Sequence, residues 1–272
     1  MRTFVKTAHG ADLLGEAAAL RWLAEASASG GIRVAGVIRV SATALEEERI
    51  EQGLPSPSSA RAAGAALART HAAGAPWFGA PPPGWDGPGY VIADTLTPVL
   101  AKDDPDSKAW GASYAKRLEA YADPACELGV LGPGDKSLVT SVCERLRAGE
   151  LDHPQPALVR AGGAAAARLH GDLWAGNLLT DAVNGEAVVI DPMAHGGHAE
   201  TDLAMLSLFG YPCLDEFLAG YEEASPLAPG WRDRVSLHQL APLLHHCLLY
   251  GHGYVAATRR ALQRTLALPR QS

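Results

Sequence analysis

Asp172 and Asn177 lie five positions apart in the stretch His170-Gly-Asp-Leu-Trp-Ala-Gly-Asn177, and Asp191 follows an apolar run over residues 187–190. Gly171 and Gly176 let the backbone turn sharply there, so an acid and an amide can converge on one point. A carboxylate so placed can orient and deprotonate a hydroxyl. An amide oxygen and a second carboxylate can hold a hard cation, which takes oxygen ligands. Phosphoryl transfer asks for this set, and magnesium suits it because it bridges phosphate oxygens and wants few protein ligands. A single Asp in a glycine-containing turn more often caps a helix or makes an Asx-turn. The combination of Asp-x4-Asn, two strands and Ile190-Asp191-Pro192 lifts the three residues above that ordinary role.

Elements must hold these side chains in place. The segment around them reads as loop, strand, turn, strand and acid, with Asn184-Gly185 as the turn. Upstream, residues 3–7 read as a short strand. Residues 12–25 read as a helix with Leu13, Ala17, Leu20 and Ala24 at helical spacing, then 27–31 as a turn-rich break and 32–40 as a strand. The acidic stretch 45–53 is expected to connect two lobes. Ser58 or Ser59 is the expected cap of a helix running to about His71. Residues 74–106, rich in Pro and Gly, read as one long loop. Helical patterns resume over 108–121 and 137–147, and 201–268 is mostly helical. There is no internal repeat. A small mixed part followed by a larger helical part predicts two lobes, 1–53 and 54–272, sharing a cleft.

Composition narrows the partners. The 272 residues are 47% hydrophobic with a net charge of −7, and no Lys/Arg block is present. That argues against a nucleic-acid groove or an anionic membrane surface. The four cysteines, Cys126, Cys143, Cys213 and Cys247, form no C-x-x-C pair and read as reduced thiols of a cytoplasmic protein. The opening residues show no signal-peptide pattern. No window is long and apolar enough to span a bilayer; the apolar stretch 240–250 is interrupted by Pro242, His245 and His246.

The stretches HGDLWAGNLL (170–179) and IDPMAHGGHAETDLAMLSLFG (190–210) closely resemble the fructosamine kinase, or ketosamine-3-kinase, family. That family shares the protein-kinase-like fold with aminoglycoside phosphotransferases and choline kinases. Weaker similarity covers most of the chain: FVKT (4–7), GEAAALRWLA (15–24), AALARTHAAGAPWFG (65–79), Trp110 with residues 114–118, and YEEASPLAPGW (221–231). The resemblance implies an α+β, protein-kinase-like two-lobe fold and an ATP- and Mg²⁺-dependent kinase for ketosamines, free or protein-bound, with a role in deglycation. It implies Asp172 as catalytic base and Asn177 and Asp191 as holders of Mg²⁺–ATP. Lys6 would contact the α/β-phosphates and pair with Glu16. His170 would support the catalytic loop, Asp202 would brace its backbone, and Trp174 would wall the substrate pocket. Another small-molecule kinase of the same fold is the nearest rival.

The resemblance also exposes departures. Family members carry two strands and a glycine-containing phosphate loop ahead of the Phe-Val-Lys strand, whereas here Phe4 is three residues from Met1. The expectation is a start upstream of this sequence, or a form weakened as a kinase that binds without transferring phosphate. Residues 45–50 are unusually charged for the connector, with Glu48 standing in for its acid. The stretch 193–197 lacks the family's aromatic residues. Residues 129–137 superficially resemble a phosphate loop, but Asp135 interrupts the Gly-Lys-Ser register, and a turn into a helix capped by Ser137 is expected. His195 and His198 are set aside as metal ligands because no third His or Cys lies at a supporting spacing. His245, His246 and His71 are expected to be structural.

Overall fold

The computed structural model describes residues 2–7, 12–92 and 95–270. It opens with strand β1 (Thr3–Thr7) and helix α1 (Leu13–Ala24). Asp12 caps α1 by accepting the backbone N–H of Leu14 and Gly15, two donors that the first turn cannot satisfy itself. Next come β2 (Arg33–Val34), β3 (Val37–Val40), β4 (Ala44–Glu48) and β5 (Gln52–Gly53). One sheet has the order β1-β4-β3. The strand expected over 32–40 is two strands in different sheets. At the break, Ala35 N–H donates to Val189 O, while Gly36 O accepts from Glu48 N–H.

The acidic stretch 45–53 is not simply a connector, because β4 is the central strand of that sheet. Its three acids each meet a cation that is distant or indirect in sequence: Glu46 pairs with Arg39 at 3.0 Å, Glu47 with Lys6 at 3.4 Å, and Glu48 with Arg33. Opposite charges across strands make a charged central strand tolerable.

Helix α2 (Pro57–Ala72) starts two or three residues earlier than the expected Ser58 or Ser59 cap implies. Its cap is Ser56, which accepts from Ser59 N–H at 3.1 Å, while Ser59 Oγ accepts from Ser56 N–H at 2.9 Å. The Pro/Gly-rich stretch 74–106 contains a hairpin, β6 (Gly89–Ile92) with β7 (Thr95–Pro98), and a 3-10 turn at Pro105–Lys108. Then follow α3 (Trp110–Glu127), α4 (Pro133–Arg147) and α5 (Ala157–Ala161). Helix α4 begins at Pro133 rather than at Ser137, and Asp135 accepts from Gly132 N–H at 3.1 Å.

The remainder comprises β8 (Ala167–Leu169), β9 (Leu178–Asp181), β10 (Ala187–Val189), β11 (His195–Gly197), α6 (Glu200–Leu208), α7 (Leu214–Ala224), α8 (Trp231–His238), α9 (Leu240–Tyr250) and α10 (Val255–Leu266). A second sheet runs β2-β10-β9-β5, and β11 pairs with β8. Gly64 of α2 faces α7 so closely that a Cβ would sit 1.9 Å from Phe217 O, and one at Gly220 would sit 2.0 Å from Arg61 O. Only glycines allow this helix pair its approach. One buried cluster joins α1, α2, α7 and the strands. Another joins α3, α4, α9 and α10. Leu173, Leu178 and Val189 of the β8–β10 segment belong to the first cluster.

Candidate active site

Strand β8 delivers the chain into His170-Gly171-Asp172. Gly171 has φ +85, and a Cβ there would lie 2.1 Å from Met193 O, so no other residue fits this turn. The turn is clamped from behind by Asp202 in the first turn of α6. Its Oδ2 accepts from His170 N–H at 2.7 Å and its Oδ1 from Gly171 N–H at 3.0 Å. His71 Nε2 donates to the same carboxylate at 3.1 Å, and Tyr221 OH lies 2.8 Å from His71 Nδ1. Burial alone would raise the Asp202 pKa, but these donors overcome it and hold the carboxyl below its ordinary range. His170 accepts from Asp172 N–H at Nδ1 (3.2 Å), so its proton sits on Nε2 and is donated to Ile190 O at 2.9 Å. Burial pushes the His170 pKa down.

Asn177 reaches back across the turn. Its Nδ2 donates to Asp172 Oδ2 and to the Asp172 backbone oxygen, each at 2.9 Å. Burial pushes the Asp172 carboxyl up to about 7, against the Asn177 hydrogen bond and with help from the charges of Asp191 and Asp202. Asp191 adopts φ +54, a left-handed conformation that is uncommon outside glycine and clusters at functional sites. Its carboxylate binds Lys6. Lys6 also meets Glu16 at 2.5 Å and Glu47 at 3.4 Å. Desolvation would lower the Lys6 pKa, but the three carboxylates around it hold it above its ordinary value. Burial pushes Glu47 up to about 7 and raises Glu16.

A cleft of about 440 Å³ opens on Lys6, Glu16, Asp172, Trp174, Asn177 and Asp191. Trp174 is 42% exposed. Its ring lies over Gly176, where a Cβ would come within 2.3 Å of it. The fold thus gathers six of the expected residues at one cleft and sets His170 and Asp202 behind it. Glu48 does not join them, because Arg33 holds it. It lines a neighbouring hollow of about 360 Å³ with Phe4, Ile50 and Leu179, on the other side of Lys6 and Asp191.

Three contributors were missed in the sequence. Glu47 lies two residues beyond Leu45, which pairs with Lys6 in the β1–β4 register, so Glu47 and Lys6 share a face. That signal existed, hidden by reading the stretch as a connector. Tyr90 donates to Ala194 O at 2.6 Å. Arg117 lines a narrower cavity with Tyr121, His195 and Asp172, so Asp172 stands at the junction of both hollows. Arg117 is buried, donates to Pro98 O at 3.1 Å, and has no carboxylate partner among the described residues. No local signal marks Tyr90 or Arg117.

The donor chemistry fits a hard cation carrying phosphates. Ligand atoms of Glu16, Glu47 and Asp191 lie within 4.8 Å of one another with one ammonium among them, and Glu47 Oε2 is buried without a hydrogen-bond partner. An oxygen-only set with surplus negative charge suits a hard cation better than a softer metal.

Comparison with known proteins agrees with this chemistry. Residues 2–268 match the sequence profile of the family described as fructosamine kinase. A probable ketoamine kinase from Enterococcus faecium is 30% identical over 77% of this chain and 68% of its own length. One from Synechocystis is 40% identical over 42% of this chain, a match that spans only 35% of that relative. A crystal structure of a fructosamine-3-kinase candidate from Thermobifida fusca superposes with a TM-score of 0.83 at 38% identity, covering 98% of this chain and 86% of that one. Among the described residues, no helix is long and apolar enough to cross a membrane.

Proposed function

The chain belongs to the fructosamine kinase family, and from that premise we propose that it phosphorylates a sugar hydroxyl of ketosamines, the sugar adducts of amines and protein lysines. The observation that carries the reading is Asp172. Its carboxyl stands where two hollows meet, its pKa is raised to about 7, and its backbone is held by Asp202 through the neighbouring amides. A general base works best when its pKa lies near the working pH.

In this reading Asp172 takes the proton of the attacking hydroxyl. Asn177 fixes the orientation of that carboxylate, and Trp174 covers one face of the sugar or amine. Asn177 and Asp191 are the ligands assigned to Mg²⁺, with Lys6, steadied by Glu16 and Glu47, assigned to the phosphates. Magnesium-bound ATP supplies the phosphoryl group and the neutralising charge. His170 and Asp202 keep the turn in place without touching substrate. The lobes divide at 53/54, and the site lies between them. Phosphorylation at the third carbon of the sugar makes the adduct labile, so the cellular role is deglycation in the cytoplasm, on free or protein-bound ketosamines.

The test is incubation of the protein with ATP, Mg²⁺ and a fructose- or ribulose-derived amine, followed by mass spectrometry. The expected product is heavier by one phosphoryl group and decays to the free amine. A protein that binds Mg²⁺–ATP by calorimetry yet phosphorylates neither amine would refute the substrate assignment.

A further inference from the structure

Away from the cleft, three histidines and a glutamate converge in the interior. His153 lies in the loop between α4 and α5, His198 follows β11, Glu200 opens α6 and His238 closes α8. His153 Nε2 and His238 Nε2 are 2.9 Å apart. Glu200 Oε2 is 3.5 Å from each of them. Tetrahedral zinc with bonds of about 2.0–2.1 Å has ligand-to-ligand edges of about 3.3–3.4 Å, and the three contacts straddle that length. All four residues bring ligand atoms within 4.8 Å of one another.

The hydrogen bonds around the cluster orient it inward. His153 Nδ1 lies 2.9 Å from Leu151 O. A carbonyl only accepts, so the ring proton is on Nδ1 and the Nε2 lone pair is free for the centre. His238 Nδ1 is 2.9 Å from Thr201 Oγ1, which can accept its proton. Arg234 donates to both oxygens of Glu200, Nη2 to Oε1 at 2.6 Å and Nε to Oε2 at 3.0 Å. Ligating imidazoles and carboxylates characteristically carry such outer partners.

His198 supplies an independent sign of a missing partner. Glu200 N–H donates to its Nδ1 at 3.2 Å, which leaves the ring proton on Nε2. That Nε2 is buried and makes no hydrogen bond of normal geometry, the Pro154 carbonyl near the ring being too poorly placed to serve as its partner.

We propose that His153, His238 and Glu200 ligate a divalent zinc-class ion whose fourth ligand is a water accepting the orphaned His198 Nε2–H. Imidazole-rich donors select zinc or a neighbouring transition metal over magnesium. Arg234 already neutralises Glu200, so the affinity falls below that of thiolate-rich sites. The ion ties the His153 loop and α8 to α6, the helix whose Asp202 clamps the turn at Gly171. It is a structural centre, and it stands or falls independently of the ketosamine reading.

The test uses full-length protein without a polyhistidine tag, stripped with chelator and titrated with Co²⁺. The expected result is one equivalent bound with the visible absorption of a four-coordinate site. Zinc displaces it, excess Mg²⁺ does not, and the melting temperature rises with the metal. His153→Gln and His238→Gln should each weaken cobalt binding by more than about 100-fold. Wild-type protein that binds no cobalt or zinc at one equivalent overturns the proposal, and this measurement decides it if either variant fails to fold. Cobalt absorption unchanged in both folded variants overturns it equally, because the metal then sits elsewhere.

Discussion

Two clusters of ligand-type side chains in this molecule are built on opposite principles. Around Lys6, three carboxylates share one ammonium, and the Asp191 side chain is 43% exposed to the cleft. Around His238, the side chains of His153, Glu200 and His238 are at most 4% exposed, and the one carboxylate is matched by Arg234. The first cluster keeps surplus negative charge beside water, where cations and phosphates can come and go. The second is closed off by burial and locked by hydrogen bonds. The difference divides labour: the carboxylates are suited to turnover, the imidazoles to holding elements together.

Exchanging the expected roles of the clusters is the sharpest way to break this comparison. Glu200→Gln leaves the Arg234 guanidinium buried without its counter-charge and should cost about 3–5 kcal/mol, read by urea denaturation, while the remaining folded protein keeps its turnover. Lost turnover at full stability would erase the distinction. Asp191→Ala should do the reverse, lowering kcat/KM by about 10²–10³-fold with little change in the melting temperature.

pH sharpens the contrast further. Below about pH 7, turnover should fall with protonation of Asp172, approaching tenfold per pH unit. Its effect on stability has the opposite sign. A carboxyl whose folded pKa is raised binds its proton more tightly when folded, so its stabilising contribution is present below the unfolded value near 3.8 and is lost as pH rises through about 7. Asp172→Asn should therefore be more stable than wild type at about pH 8, by roughly 1–4 kcal/mol, and show little gain at about pH 4. Thermal melts at both pH values check this. Ser56→Ala, remote from both clusters, should cost only about 1 kcal/mol through its lost helix cap and leave the kinetics untouched.

Asp172, Asn177 and Asp191 were legible because their chemistry restricts residue type within a short, glycine-punctuated span. Lys6 and Glu16 became legible only through family resemblance, since a lysine on a strand and a glutamate in a helix carry no signal alone. Strand β4 was obscured by its acids: the cations that make it tolerable, Lys6, Arg33 and Arg39, are brought to it by folding. The β6–β7 hairpin was masked by surrounding Pro and Gly. The histidine cluster had no local signature. His198 was set aside for want of a third ligand at a supporting spacing, and the fold brings His153 and His238 from two distant places to His198 and its near neighbour Glu200.

The central claim is that Asp172 is the base for phosphoryl transfer to a sugar hydroxyl. Its most direct test compares wild type with Asp172→Asn in single-turnover transfer from Mg²⁺–ATP to a ribulose-derived amine, with nucleotide affinity measured alongside. The account predicts a fall of about 10²–10⁴-fold in the transfer rate with ATP binding intact. Equal transfer rates in the two proteins would contradict it.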